Sequence, residues 1–422
     1  MANEIIETYK ILEERIKSEN IQIYFDMLDS PYPSFKSKAI QELTKQKIDA
    51  PRIKEYLKDP DKNVRFSAYR YLDKMGLLDE NNIKEALKDI SANLRKEAII
   101  SYIQMGIKPI EFILEFTEDP DPIVRYQLIS TFLEFYPEDS EKIISKMKND
   151  PYVKIKQLIS ALENISETLK SEQVDKSVKV MALRRFYERD DAYTFFNSLK
   201  ETYFDCNNET KGIIIKFFSG LPCEVINKFI EKIVQEEKDI HILQLTANTS
   251  KKVCGIDFVP TWLIDKLVNS EEAKVVKFGL KLASEKEDMG YVEFCRDLLS
   301  AVDDDLVIGA SDYLIYFQDY MLKDYVPNFL NSLSSKRIRE GLKIIRKLKL
   351  DNFLEEISLI ALNKMYPISL RKAAVNLLKF FKAKDYWEVP NQILKDPYEN
   401  GNLKLAALNA LLRLNAEMVV NF

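Results

Sequence analysis

The chain repeats a short charged pattern every thirty residues, and this periodicity limits its possible folds more than any other feature. Acids recur at Asp29, Asp59, Asp89 and Asp119, and a basic residue follows the last three by six positions, at Arg65, Arg95 and Arg125. Beyond residue 150 the spacing loosens to about 30 to 35, but the order of apolar, basic and small residues persists. About 12 or 13 units can be counted. The chain is therefore predicted to be an array of similar units.

Within a unit the apolar residues follow the period of an α-helix. Val64, Ala68 and Leu72 return every four positions and predict one buried helix face. The preceding segment, 50–59, predicts a shorter helix that begins near Pro51. Glycine occurs only ten times in 422 residues, and strand patterns are almost absent. Each unit is thus predicted to be a helical pair, and stacked pairs are expected to form a curved solenoid with a concave face.

Paired helices in units of 30 to 40 residues, with an acid between them and a basic residue six positions later, resemble HEAT repeats. The spacing is carried by Asp59 with Arg65, Asp89 with Arg95, Asp119 with Arg125, Asp205 with Lys211, and Glu271 with Lys277. The units near 308, 339, 371 and 404 depart from it. The resemblance implies an all-α, armadillo-like fold: a right-handed α-α superhelix (solenoid) of about 12–13 HEAT-like helical-pair repeats. The Asp–Arg pairs are expected to be structural, closing the turn between helices and bonding along the stack.

The regularity of the units divides this one continuous solenoid into three stretches. Residues 1–165 carry the 30-residue repeats, and residues 166–270 carry irregular helical repeats. Residues 271–422 carry HEAT-like repeats with an acidic band followed by a basic band.

Residue sets for catalysis or metal binding are not apparent. His241 is the one histidine, and its neighbours include no nucleophile for a Ser-His-Asp or Cys-His arrangement. Four cysteines, at 206, 223, 254 and 295, lack the paired spacing of zinc sites. Cys223 and Cys254 are expected to be small core residues. The acids at 303–305 are interpreted as an inter-helix turn, because they lack the pattern of a calcium loop. We expect no catalytic residues, no cofactor and no metal.

Two further features bear on location. The most apolar window, 212–221, is about ten residues long, whereas a bilayer-spanning helix needs about 20. The first 17 residues have acids and helical spacing instead of the pattern of a signal peptide. With unpaired cysteine spacing, these features predict a cytoplasmic protein without a membrane partner.

Charge is distributed unevenly in the last third of the chain. Residues 297–325 contain seven aspartates and one lysine, whereas residues 336–384 contain 13 basic residues against four acids. In the helix predicted near 338–348, a buried stripe is expected at Ile338, Leu342, Ile345 and Leu348. The candidate partner-binding residues of the basic section are Arg339, Lys343, Arg346, Lys347, Arg371 and Lys372. Most aromatics, Phe380 among them, lie at core spacing.

Three functions remain open at this point. A non-catalytic scaffold or adaptor for protein–protein interaction is favoured, with a protein partner held on the curved surface. Nucleic-acid binding through 336–384 is the alternative, since phosphate backbones attract clustered cations. An enzyme similar to the DNA glycosylases built from HEAT-like repeats is the third, but Trp262 and Trp387 are expected to face outward.

Overall fold

The computed structural model describes residues 2–107, 109–136, 139–189 and 192–421, and the regular structure in those ranges is helical. The α-helices are α1 (Ala2–Leu28), α2 (Pro33–Gln46), α3 (Lys62–Lys74), α4 (Glu80–Ala86), α5 (Ala92–Gln104), α6 (Ile110–Ile113), α7 (Pro122–Phe135), α8 (Ser140–Met147), α9 (Val153–Glu163), α10 (Ile165–Lys170), α11 (Lys176–Arg189), α12 (Ala192–Thr202), α13 (Asn208–Phe218), α14 (Cys223–Glu236), α15 (Ile240–Cys254), α16 (Thr261–Val268), α17 (Ala273–Glu285), α18 (Val292–Leu298), α19 (Asp304–Tyr316), α20 (Val326–Leu330), α21 (Ser335–Leu348), α22 (Leu354–Leu362), α23 (Ile368–Phe381), α24 (Glu388–Lys395) and α25 (Gly401–Leu414). Short 3-10 helices lie at Pro51–Lys58, Leu114–Glu118, Tyr203–Asp205, Ile256–Phe258, Tyr320–Tyr325, Asp351–Phe353, Lys384–Tyr386 and Ala416–Asn421. The prediction of an all-α chain of helical pairs is confirmed.

These helices belong to two compact units. The first unit is Ile23–Val253, and the second unit combines Met1–Gln22 with Cys254–Phe422. In the first unit the second helices α3, α5 and α7 pack on one another in chain order. In the second unit α17, α19, α21, α23 and α25 do the same, and each packs on the first helix of its own pair. The three stretches expected from the sequence stay a prediction.

The predicted apolar faces form the core. Val64 and Ala68 of α3 are fully buried, as are Ile338 and Ile345 of α21. The helix boundaries follow from local chemistry: the carboxylate of Asp61 accepts from the amides of Asn63 and Val64 and begins α3. At the other end Gly76 has φ of +68°, a conformation that lets the chain leave the helix and that side chains disfavour. Gly106 closes α5 in the same way.

The repeated acids and arginines form a ladder between neighbouring repeats. Arg65 donates from Nε and Nη2 to the two carboxylate oxygens of Asp89, both at 2.8 Å. Its Nη1 donates to the backbone carbonyl of Asp59 at 2.9 Å. The same arrangement recurs for Arg95 with Asp119 and for Arg125 with Asp150. Each arginine thus closes its own turn through a carbonyl and joins the next repeat through a carboxylate.

The ladder extends into repeats that depart from the sequence pattern. Arg371 donates to both carboxylate oxygens of Glu399, at 2.7 and 3.2 Å, and to the carbonyl of Ala361 at 2.9 Å. Lysines replace arginine in two other repeats: Lys211 pairs with Glu237 and Lys277 with Asp305, each at 2.9 Å. As in the regular repeats, the carboxylate that Arg371 binds comes from the repeat that follows.

Residues 2–22 of α1 complete the second unit. The hydroxyl of Tyr9 donates to Oδ1 of Asn409 in α25 at 3.0 Å, across 400 positions of sequence. Ile16 belongs to a buried cluster with Leu408, Leu411 and Val419. The end of a helical stack exposes an apolar face unless something covers it. Within this unit, α1 covers that face of the last helical pair.

The cysteines depart from expectation. Cys206 and Cys295 are free and buried. Cys223 and Cys254 are each disulfide-bonded and half-buried, which corrects the interpretation of them as small core residues. Since the cytoplasmic location was inferred from unpaired cysteine spacing, it stays a prediction. Among the described helices, none is both long and apolar enough to cross a bilayer.

Candidate partner-binding site

A groove of about 780 Å³ opens across three consecutive second helices of the second unit, α21, α23 and α25. The lining residues are Arg339, Leu342, Lys343, Arg346, Lys347, Ala373, Asn376, Leu377, Lys379, Phe380 and Arg413. On α21 the basic residues recur at helical spacing beside the buried stripe, so one face packs into the core and the adjacent face lines the groove. We call this feature the basic groove.

Positive charge dominates the basic groove. Six of its lining residues are lysine or arginine, and the described lining includes no carboxylate. Lys347, Lys379 and Arg413 form no ion pair with any described residue. A second groove, between α2 and α3 of the first unit, is lined by one lysine, Lys38, and one aspartate, Asp61. The cationic lining of the basic groove is therefore not shared by this second groove.

Two arginines of α21 are held in place by the neighbouring helix α23. Arg339 donates from Nη2 to the hydroxyl of Ser369 at 2.7 Å. The guanidinium of Arg346 lies 5.5 Å from the centre of the Phe380 ring, in a cation–π contact. Such contacts restrict the side chain and leave further N–H groups able to donate to an anion.

Lys343 is the exception, because it has carboxylates beside it. Its ammonium pairs with Asp312 of α19 and lies 3.2 Å from the carboxylate of Glu340. Glu340 is almost fully buried and accepts from the hydroxyl of Ser311 at 3.0 Å. Burial raises the pKa of Glu340 to about 7, while the Ser311 hydrogen bond and the charge of Lys277 act in the opposite direction.

Burial shifts the pKa of Lys343 in the opposite direction. Burial, together with smaller contributions from the charges of Lys347 and Lys277, lowers the pKa of Lys343 to about 8. The attraction of the adjacent carboxylates opposes this change.

Replacing the buried carboxyl should remove part of the pH dependence of stability. An acid whose pKa rises on folding stabilises the fold fully below its unfolded value, about 4.5, and this contribution is lost as the pH rises through about 7. The contribution amounts to about 1–3 kcal/mol for a shift of this size partly offset by Lys343. Glu340→Gln should therefore lose less stability than the parent between pH 5 and 8, as measured by urea unfolding. Glu293→Gln, at a carboxyl that is 83% exposed, is the control and should leave the dependence unchanged. Equal pH dependence in the parent and Glu340→Gln would contradict the assignment.

The predicted site residues divide into two groups. Arg339, Lys343, Arg346 and Lys347 lie together in the basic groove. Lys372 is exposed and lies outside the lining. Arg371 must be removed from the partner-binding set: its side chain is buried and bound to Glu399, so it belongs to the ladder.

The groove residues missed from the sequence include an aromatic ring and two cations. Phe380, expected in the core, is 43% exposed and lines the groove beside Lys379, which corrects its assignment. Arg413 lies beyond the basic section that the charge count identified. A signal was present: Lys347, Phe380 and Arg413 each stand twelve positions after the first residue of their helix. Equivalent positions in stacked repeats lie side by side, so aligning the repeats would have brought these residues together.

The three consecutive aspartates at 303–305 each bind other groups of the protein. Asp303 accepts from the amides of Asp305 and Leu306 at the start of α19. Asp304 pairs with Arg337 at 2.6 Å, and Asp305 pairs with Lys277 at 2.9 Å. Asp303 thus caps its own helix, while Asp304 and Asp305 pair with the neighbouring helices α21 and α17.

Helical pairs stack on one another in each unit, and a ladder of ion pairs joins neighbouring repeats. The chain is built of HEAT-like repeats. Among solved structures it is similar to Kap121p bound to RanGTP, at 13% identity over 98% of this chain and 47% of that chain, with a TM-score of 0.35. It is also similar to importin beta in an ammonium sulfate condition, at 14% identity over 96% of this chain and 61% of that chain, with a TM-score of 0.41. An engineered protein is similar at 12% identity over 93% of this chain and 98% of that chain, with a TM-score of 0.28.

The chain spans about half the length of Kap121p. No protein-family model matches the chain, and no curated protein matches it. At these identities the likeness concerns the fold, and function has to be argued from the HEAT-like repeats of this chain.

Proposed function

We propose that the chain is a non-catalytic scaffold for protein–protein interaction and that an acidic surface of its partner binds in the basic groove. The observation that supports this function is the set of six cations with no carboxylate in the described lining. Neighbouring like charges on a fixed frame repel one another, and a bound anionic surface relieves that repulsion. Charge complementarity of this kind speeds association and selects the partner.

The arrangement of the cations suits a surface more than a single small anion. Arg346, Lys379 and Arg413 come from three different helices, whose axes lie about 8–10 Å apart when packed. A lone phosphate would need donors that converge on one point, whereas the cations of the groove are distributed over three neighbouring helices. An extended partner can contact all of them at once.

Charge reversal in the basic groove tests this function. Arg346→Glu, Lys347→Glu and Lys379→Glu together should reduce the amount of partner captured by the full chain at least about tenfold, because attraction becomes repulsion. The control combines Lys62→Glu, Lys88→Glu and Lys148→Glu, three exposed lysines of the first unit, which change the net charge equally. Quantitative mass spectrometry of proteins captured from native lysate measures both, and capture should also fall with added salt.

Nuclease treatment in the capture experiment distinguishes a protein partner from nucleic acid. Groove-dependent capture that survives nuclease treatment supports the scaffold. Loss of the captured proteins after nuclease treatment would show that nucleic acid bridges them and would overturn the proposal in favour of phosphate-backbone binding. Equal capture by the groove variant and the control variant would contradict any role of the groove.

A glycosylase-like function receives no support from the tryptophans. Trp262 is half-exposed on α16, and Trp387 packs against the cluster around Leu408. Both lie outside the residues that line the basic groove.

A further inference from the structure

The basic groove contains an apolar strip between its cations. Leu342 of α21, Leu377 of α23 and Phe380 of α23 line the groove together with the cations. The leucines are almost completely buried, whereas Phe380 keeps 43% of its surface exposed. A half-exposed aromatic ring in a recess offers apolar area that a partner side chain can cover. The groove therefore offers more than charge.

One cation lies directly on this apolar strip, and other cations line the same groove. Arg346 lies on the Phe380 ring, so its guanidinium is held beside the apolar surface. The planar fork of arginine matches the two oxygens of a carboxylate. Lys347, Lys379 and Arg413 add three charges at the same end of the helices. A ligand that covers Phe380 thus meets several cations within one or two residues of its apolar group.

The length of the groove indicates the size of the ligand. Three packed helices at about 8–10 Å between axes span about 16–20 Å. An extended peptide covers about 3.3 Å per residue, so five or six residues fill that span.

We infer that the basic groove recognises an extended acidic peptide segment with one aromatic or large aliphatic residue, which packs on Phe380 while the flanking carboxylates bind the cations. The inference rests on the proposed function and names the kind of partner segment. Single-stranded nucleic acid fits less well, because successive bases stack on several exposed aromatics and the described lining contains one.

Peptide selection tests the inference. A phage library of random twelve-residue peptides is panned on the full chain and counter-selected on the triple charge-reversal variant described above. Enriched peptides should carry at least two acids within two residues of an aromatic or large aliphatic residue. Fluorescence polarisation then compares the leading peptide with a copy whose apolar residue is serine. The apolar residue should strengthen binding at least about fivefold, in keeping with the burial of one large side chain.

A matched protein variant provides the control for the peptide comparison. In Phe380→Ser the two peptides should bind equally, whereas the charge-reversal variant should bind neither. Enriched acidic peptides without an apolar preference, bound equally by Phe380→Ser and the parent, would overturn the inference and leave the proposed function standing. If no peptide depends on the groove charges, both fail. The comparison of the two peptides on the parent chain changes only the ligand. It therefore tests the inference even if Phe380→Ser is poorly folded.

Discussion

Arg95→Ala is expected to lower the free energy of unfolding by about 3–5 kcal/mol, measured by urea or thermal unfolding monitored by circular dichroism. Arg95 holds both oxygens of Asp119, whose side chain is 3% exposed, and also the carbonyl of Asp89. Removing the guanidinium leaves a buried carboxylate without its counter-charge, and this is the costly way to break a buried ion pair. The loss should be concentrated in the repeats on either side of the missing contact.

Arg15→Ala provides the matched control. Arg15 also pairs with a carboxylate, that of Glu19, but both side chains are more than 60% exposed. Exposed pairs contribute at most about 1 kcal/mol. A similar, small loss for both variants would show that the ladder contributes no more than a surface ion pair.

Ile16→Asp is expected to release residues 2–22 from α25 and to destabilise the second unit by about 3 kcal/mol or more. Ile16 is 9% exposed and packs against Leu408 and Leu411, so the substitution places a charge against an apolar face. Hydrogen exchange should accelerate in α1 and in α25, and the uncovered face should promote self-association, detected by light scattering.

The same helix supplies the control. Ile11 is 60% exposed, so Ile11→Asp makes the same chemical change without entering the buried cluster. It should alter stability by less than about 0.5 kcal/mol. If the two substitutions had equal effects, the packing of α1 on the last helical pair would be refuted.

The helical pairs could be predicted because their signal is local. Val64, Ala68 and Leu72 recur within one helix, and their burial depends on a period that the sequence shows directly. The ladder was predicted in outline. The carboxylate partners were harder to assign, because they stand in the next repeat: Asp89 lies 24 positions after Arg65, and Glu399 lies 28 positions after Arg371.

The groove was predicted in part. The four cations of α21 were identified because they stand together in the sequence. Phe380 was wrongly assigned to the core. Helical spacing of an apolar residue does not distinguish a core position from a position that lines a groove between two second helices. Arg413 was missed because a charge count along the chain cannot combine residues from three repeats. The contact of Tyr9 with Asn409 could not be predicted, because no local pattern relates residues that are 400 positions apart.

The contact between α1 and α25 also affects the order in which the chain can fold during synthesis. Tyr9 and Asn409 are separated by 400 residues. At about 5–20 residues per second, roughly 20–80 s pass between the appearance of the two partners from the ribosome. The apolar face of α1 around Ile16 has no partner during that time, so the nascent chain needs a chaperone or transient local contacts to shield it. The second unit is therefore completed only after α25 has been synthesised, about 400 residues after the segment of α1 that packs against it.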